Sequence, residues 1–322
     1  MINTNNTNKS LYSRIWVGAV MAVVAIAYFL LVGLAGRSDS GFGKFVRIFS
    51  SLCAGIVLFG ASFELFRSFK VHQSTSIIFS LIVVSTLFLN VNWYGKFFWL
   101  HGTLENLDGS FKELVKGLIK DWRVYLMVLV VSVSYWFYKV FMLETLNMKN
   151  ITVSSVIIGA ITLMLIFAIK LIMLSLVAKP TYAILFVLVS IACDVGGFSG
   201  GRLLGHKFFE RKLAPNVSPK KTIEGFLVAL GSGMIISIMA VAIFGLFSTS
   251  YAWYTGLIIS TAVVFLPLAA IFGDLLYSYL KRLNGIKDYS NIFQEHGGIL
   301  DRLDSISTVA FIGFLLLIMT IF

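Results

Sequence analysis

Charge is what this sequence has least of. Only 13% of its 322 residues are Asp, Glu, Lys or Arg, against about 25% in ordinary soluble domains. So little charge cannot cover a water-facing surface, which excludes an ordinary soluble globular protein. Cysteine is nearly absent. Cys53 and Cys193 each sit inside an apolar run, without the spacing of a thiolate metal site or a disulfide framework. They read as small packing residues. No internal repeat and no low-complexity linker interrupts the chain. Acids are scarcer than bases, 15 against 26, for a net charge of +11. The bases are dispersed between apolar runs, which argues against nucleic acid and suits anionic lipid or a phosphate-bearing substrate.

What the chain has in abundance is apolar sequence: 58% hydrophobic residues and a mean hydropathy of +0.90. Candidate membrane spans cover about 15–35, 45–66, 74–91, 124–143, 151–177, 181–193, 223–247, 252–273 and 306–322. The prediction is an all-α polytopic membrane protein of about nine transmembrane helices, one membrane-embedded domain over 1–322. The first run is longer than a signal-peptide core and lacks a small-residue cleavage pattern, so it reads as a retained span. The sixth is short and ends at Asp194; the fifth carries Lys170. Glu64, near the end of the second, reads equally as a functional acid or as a snorkelling terminal residue. Between 92 and 123, Trp93, Tyr94, Phe97, Phe98 and Trp99 look like an interfacial aromatic belt. Leu104, Leu107, Phe111, Leu114 and Leu118 then recur at helical spacing, as in an amphipathic helix lying on the membrane.

Segments 194–222 and 274–305 are separated by two spans and must face one side. The first carries Arg202, Lys207, Arg211, Lys212, Lys220 and Lys221; the second carries Lys281, Arg282, Lys287 and Arg302. The link at 248–251 has no charge. The positive-inside rule places both segments in the cytoplasm. Counting back puts the N-terminus inside and the C-terminus outside. The same count leaves Lys179 and the lysines of 112–120 outside, against the rule.

The second segment is the densest in chemistry. On a helix, Asp274, Ser278, Lys281 and Arg282 share a face at i, i+4, i+7, i+8, and Asp301 and Asp304 share one at i, i+3. Acidic faces beside fixed cations are what a metal–phosphate site needs. A basic loop that only sets topology would explain Lys and Arg, but neither the acids nor His296-Gly297-Gly298. In the first segment, Gly196, Gly197, Gly200 and Gly201 allow close approach of backbone to a ligand or to a neighbouring helix, and both readings stand. Asp194 falls at the C-terminal end of a span, where the helix dipole adds to its pull on cations. Ser218-Pro219 reads as a helix start, Ser at N-cap and Pro at N1. That would set Lys220, Lys221 and Thr222 on the first turn of a helix pointing its positive end at the site, a ready phosphate cradle. The plain alternative is two lysines anchoring a span at the headgroups.

These two stretches resemble the phosphatidate cytidylyltransferase (CDP-diacylglycerol synthase) family. The family signature is approximately Ser-x-apolar-Lys-Arg, four residues, Lys-Asp, then His-Gly-Gly, an apolar pair and Asp-Arg-apolar-Asp. Here it is Ser278, Lys281, Arg282, Lys287, Asp288, His296, Gly297, Gly298, Asp301, Arg302 and Asp304. The upstream pattern, Lys-Leu-Ala-Pro followed by Ser-Pro-x-Lys-Thr, matches Lys212 to Pro215 and Ser218 to Thr222. Departures are Gln294-Glu295 where the family usually has Pro-Gly, Tyr277 where many members have Glu, and Val195 in place of Ser or Thr.

The resemblance implies a reaction, CTP plus phosphatidate giving CDP-diacylglycerol and pyrophosphate. It implies catalytic roles for Asp274, Asp301, Lys281, Arg302 and Asp304. It implies substrate contacts from Ser218, Lys220, Lys221, Thr222, Ser278, Arg282, Lys287, Asp288, His296, Gly297 and Gly298. Asp274, Asp301 and Asp194 would hold Mg²⁺, with room for a second cation. The partners it implies are CTP, phosphatidate and anionic membrane lipid, with no nucleic acid; a homodimer stays open. The expected location is the bacterial cell membrane, with the site on the cytoplasmic face. Two other readings are weighed. A CTP-dependent kinase of a polyprenol or other lipid alcohol would need a base for the hydroxyl and should lack the full motif. A transporter would gather charge at mid-membrane, where only Lys170 looks deep.

Overall fold

The computed structural model describes residues 20, 23–103, 107–142, 148–209, 211–215, 217–293 and 297–321, with the backbone alone at 220. In chain order its elements are α1 (Val23–Ala35), α2 (Gly41–Ser68), α3 (Gln73–Ser85), α4 (Val91–Phe98), α5 (Leu107–Ile119) and α6 (Trp122–Met142). There follow α7 (Met148–Ala178), α8 (Pro180–Leu204), β1 (Lys212–Ala214), β2 (Ser218–Thr222), α9 (Ile223–Phe244), α10 (Ala252–Leu283) and α11 (Ile299–Ile321). The molecule is an all-helical polytopic membrane protein save for one hairpin. Among the described residues, seven helical stretches are long and apolar enough to cross a bilayer: α2, Leu107–Met142, and α7 to α11. The two remaining runs of the predicted nine coincide with α1 and α3, whose described residues fall short of a spanning length.

The helix α7 is apolar all round and forms the pillar of the bundle, packed by α2, α6, α8 and α11. Such a helix belongs in an interior. Helices α8 and α9 approach most closely through small residues. A Cβ at Gly196 would lie 3.2 Å from the Ala229 Cα, and one at Gly200 would lie 2.5 Å from the Val228 Cβ. The glycines of the first motif therefore serve helix packing. Because they pack rather than bend, α8 runs past Asp194 to Leu204. The expectation that a span ends at Asp194 is corrected, and with it the helix-dipole argument, which acts only in a terminal turn.

A second correction concerns Ser218-Pro219. Residues Ser218–Thr222 form β2, antiparallel to β1 with Lys212 opposite Thr222 and Ala214 opposite Ser218. Proline is as much at home at the start of an edge strand as at N1. The real N-cap of α9 is Thr222, in extended backbone, with its Oγ1 accepting from Gly225 N at 3.1 Å.

The end of the bundle away from the motifs is closed by α4 and α5. The predicted apolar stripe of α5 is buried at Leu107, Phe111, Leu114 and Leu118, and Val115 is buried beside it. It packs on α7 and α11 rather than on lipid, and Phe111 stacks on Tyr182 of α8 with centroids 5.6 Å apart. Leu104 lies outside the described residues. Trp93 and Phe97 of the expected aromatic belt are core residues, and Trp93 Nε1 donates to the Leu114 carbonyl at 2.9 Å. Two of the lysines that broke the positive-inside pattern, Lys179 and Lys112, are paired here, and two neighbours outside that set are paired as well. Lys179 and Lys112 meet Asp108, Lys96 meets Glu113 at 2.6 Å, and buried Lys170 faces Asp121 at 3.9 Å.

Candidate active site

The two polar segments meet at the opposite end of the bundle. Helix α10 continues through Asp274 to Leu283, so Asp274 lies within a helix rather than at its end. One turn on, Ser278 Oγ donates to Asp274 Oδ1 at 3.3 Å. Lys221 Nζ, reaching over from β2, donates to Asp274 Oδ2. Lys281, two turns from Asp274 and only 9% exposed, crosses to α11 and donates to Asp301 Oδ1 at 2.7 Å.

Asp301 stands in the first turn of α11. Its Oδ2 accepts from Gly298 N and Tyr289 N, both at 2.9 Å. Reaching back to the residue before the helix satisfies one of the donors that every helix start leaves orphaned. Gly297 has φ +76°, the left-handed region that favours glycine. A Cβ at Gly298 would fall 2.3 Å from Glu64 Oε1. The glycine pair thus lets the chain turn sharply between two carboxylates.

Glu64 of α2 is the second of those carboxylates, and the sequence left its role open. It is 2% exposed and accepts from Ser290 Oγ at 2.6 Å, Ile299 N at 3.0 Å and Leu300 N at 2.7 Å. It caps α11 from a different helix and is no snorkelling terminal residue. Tyr289, in the loop between α10 and α11, donates its O–H to the Tyr277 carbonyl at 3.2 Å. Burial pushes this phenol up, so it stays a donor.

A cavity of about 640 Å³ opens where these elements converge, lined by residues of both motifs. Its described lining holds four acids, Asp194, Asp274, Asp301 and Asp304, against three bases, Arg202, Lys221 and Arg302. Asp274 acts electrostatically on both Asp194 and Asp304, and Lys221 and Arg302 on Asp194. Ser218 and Thr222 also line it. Ser278 and Lys281 stand behind Asp274 and Asp301 and orient them. Arg282, Lys287 and Asp288 are exposed and do not line the cavity; Arg282 Nη1 donates to the Ile286 carbonyl at 3.1 Å. His296 and the side chain of Lys220 lie outside the described residues. Arg202 was read only for topology, yet it shares a face of α8 with Asp194 at i, i+8, a periodicity the sequence carries.

A pocket with carboxylates and fixed cations in near balance suits a metal-bound polyanion. The sequence model of the cytidylyltransferase family matches residues 11–321, and the chain belongs to that family. Among curated relatives it is similar to the phosphatidate cytidylyltransferase of Helicobacter pylori, 42% identical over 124 residues, 38% of this chain and 42% of the relative. It is also similar to that of Bacillus subtilis, 39% identical over 137 residues, 42% of this chain and 47% of the relative. With that of Rickettsia bellii it shares 29% identity over 167 residues, 52% of this chain and 71% of the relative. The chain spans less than half the length of the first two relatives where it matches them.

Proposed function

We propose that the protein transfers the cytidylyl group of CTP to phosphatidate, giving CDP-diacylglycerol and pyrophosphate. The carrying observation is the single cavity that collects Asp194, Lys221, Asp274, Asp301, Arg302 and Asp304 from both motifs. A phosphate monoester has a second pKa of about 6, so the lipid phosphate is largely ionised at neutral pH and needs no strong base. One of its oxygens bonds to the α-phosphorus of CTP; the bond to the bridging oxygen breaks, and the electron pair leaves with pyrophosphate. The protein's work is to bring two polyanions together and to hold the leaving charge.

Lys221, Arg302 and Arg202 are suited to bind phosphate oxygens, joined by Lys220 and His296 from the motif. Lys281 holds Asp301 in place. Arg282, Lys287 and Asp288 stand outside the cavity, where they could meet the incoming nucleotide or anionic lipid. The donor set for a cation is all carboxylate, without thiolate or imidazole among the described lining residues, which suits a hard ion. Among the described residues no group of three or more His, Cys, Asp or Glu is gathered to hold a metal ion by itself; Mg²⁺ commonly binds through one or two carboxylates plus substrate phosphates. The candidates for those carboxylates are Asp274, Asp301 and Asp194, with Asp304 on the same cavity wall. When bound, the ion would neutralise charge on the reacting phosphates.

The site faces the cytoplasm in this reading, in a bacterial cell membrane, with 1–322 as one domain. Nine helices, α1 to α3 and α6 to α11, would alternate in direction, with α4 and α5 outside. A homodimer is compatible with this arrangement. The test is an assay of purified protein with CTP and phosphatidate. CDP-diacylglycerol and pyrophosphate should form in equal amounts, stop on chelation and resume with Mg²⁺. Absence of the lipid product from well-folded protein overturns the reading.

A further inference from the structure

A second cavity, of about 550 Å³, lies against the polar one. Its walls are apolar: Met164 of α7, Phe272, Leu276 and Tyr279 of α10, and Phe311 and Ile312 of α11. Phe272 is 57% exposed and Tyr279 46%, so the groove opens sideways on the face of the bundle that lipid would cover. Its floor is small. Gly273 and Thr308 mark the close approach of α10 to α11, and the Thr308 hydroxyl is spent on the Ala269 carbonyl at 2.9 Å.

The two cavities share their walls. Leu213 and Ser218 of the hairpin line the polar cavity, and their neighbours Ala214 and Val217 line the apolar groove. The hairpin therefore stands between the two compartments and borders both. On α10, Gly273 lines the groove and Asp274 the polar cavity. On α11, Asp304 lines the polar cavity and Thr308, one turn on, the groove. A ligand that is phosphate at one end and hydrocarbon at the other matches this pair of compartments; a free nucleotide would leave the groove unused.

We propose that the groove seats one acyl chain of the phosphate-bearing lipid, and that Leu276, Phe311 and Ile312 set which chain lengths react. The inference rests on the polar cavity taking a lipid phosphate. A chain leaving the bilayer for the groove gains no hydrophobic free energy, since lipid tails are as apolar as the side chains. What the groove supplies is position: a held chain fixes its phosphate beside Asp274 and Lys221. Chain length should therefore register in turnover more than in apparent affinity.

The test compares wild type with Leu276→Trp and Ile312→Trp, which fill the groove, and Leu276→Ala, which enlarges it. Leu129→Trp, at a position of α6 that is 59% exposed, is the control. With dipalmitoyl phosphatidate the Trp variants should lose about tenfold or more in kcat/KM, a barrier change of about 1.4 kcal/mol. With dihexanoyl phosphatidate they should stay near wild type. Leu276→Ala should shift preference toward longer chains. A phosphatidate with a diazirine on its acyl chain should label groove residues, and unlabelled phosphatidate but not phosphatidylcholine should compete. Labelling competed equally by both would mean surrounding lipid only and would overturn the proposal. So would equal losses on both chain lengths, or none. If wild type converts neither lipid, the reading of the polar cavity falls first. If wild type converts both and the variants show no split, only the groove assignment falls.

Discussion

Glu64 and Asp301 hold the start of α11 from two sides, and between them they accept six hydrogen bonds: four from the backbone N–H groups of Tyr289, Gly298, Ile299 and Leu300, one from the Ser290 hydroxyl and one from Lys281. Glu64→Ala would leave Ile299 N, Leu300 N and the Ser290 hydroxyl without their acceptor, at about 1–3 kcal/mol for each donor that stays buried. Thermal unfolding in detergent should show a lowered midpoint and kinetics a turnover loss of roughly tenfold or more. Glu64→Gln, which keeps one acceptor oxygen, should fall between. A wild-type midpoint and rate for Glu64→Ala would contradict the capping role. Asp274→Asn and Asp301→Asn keep size and lose charge. Each should cut turnover by about two orders of magnitude, the scale of one lost electrostatic stabiliser. Asp39→Asn, an exposed acid at the far end of the bundle, should stay within a few-fold. The motif acids were legible from spacing alone, whereas the partner of Glu64 lies 226 or more residues away, beyond any local pattern.

Elements decide where those residues point. The α8–α9 contact sets Asp194 against Lys221, because Gly200 admits Val228 where a Cβ would clash. Gly200→Val should push the helices apart and lower activity by about tenfold or more, and Val228→Ala in the same chain should recover part of it, as coupled neighbours do. Independent, additive losses would argue that the two helices are not held by this contact. A glycine-rich stretch after a short apolar run reads naturally as a loop, so the sequence hid the continuation of α8 past Asp194. The hairpin was hidden for a different reason: Ser218-Pro219 suits a strand start and a helix start alike. The turn signal Pro215-Asn216 between two short segments was the available cue. The stripe of α5 was read with the right face and the wrong partner, since apolar periodicity does not distinguish protein from lipid.

At the scale of the whole molecule, direction of travel follows from which ends touch. The α2 end bearing Glu64 meets the start of α11, and the starts of α9 and α11 share the cavity with the late part of α10. Cysteines placed at Lys212 and Asn284, with Cys53 and Cys193 replaced, should therefore label from one and the same side of intact cells, the cytoplasmic side in the proposed orientation. One at Trp122 should label from outside. Labelling of Lys212 and Asn284 positions from opposite sides would break the shared-face arrangement. The overall class was legible because charge scarcity and apolar run length are properties of the chain as a whole. Pairing of Lys96, Lys170 and Lys179 with Glu113, Asp121 and Asp108 was not, because it depends on how α4 to α7 pack.

The central claim is that the bond formed joins the lipid phosphate to the α-phosphorus of CTP. The direct measurement is to give purified protein, phosphatidate and Mg²⁺ two preparations of CTP, one labelled at the α-phosphate and one at the γ-phosphate, and to count the extracted lipid. The account predicts α-label in the lipid and γ-label only in pyrophosphate, with little CTP cleaved when phosphatidate is left out. Transfer of the γ-label to lipid would make the protein a kinase, and rapid cleavage of CTP without lipid would make it a hydrolase; either result contradicts the account.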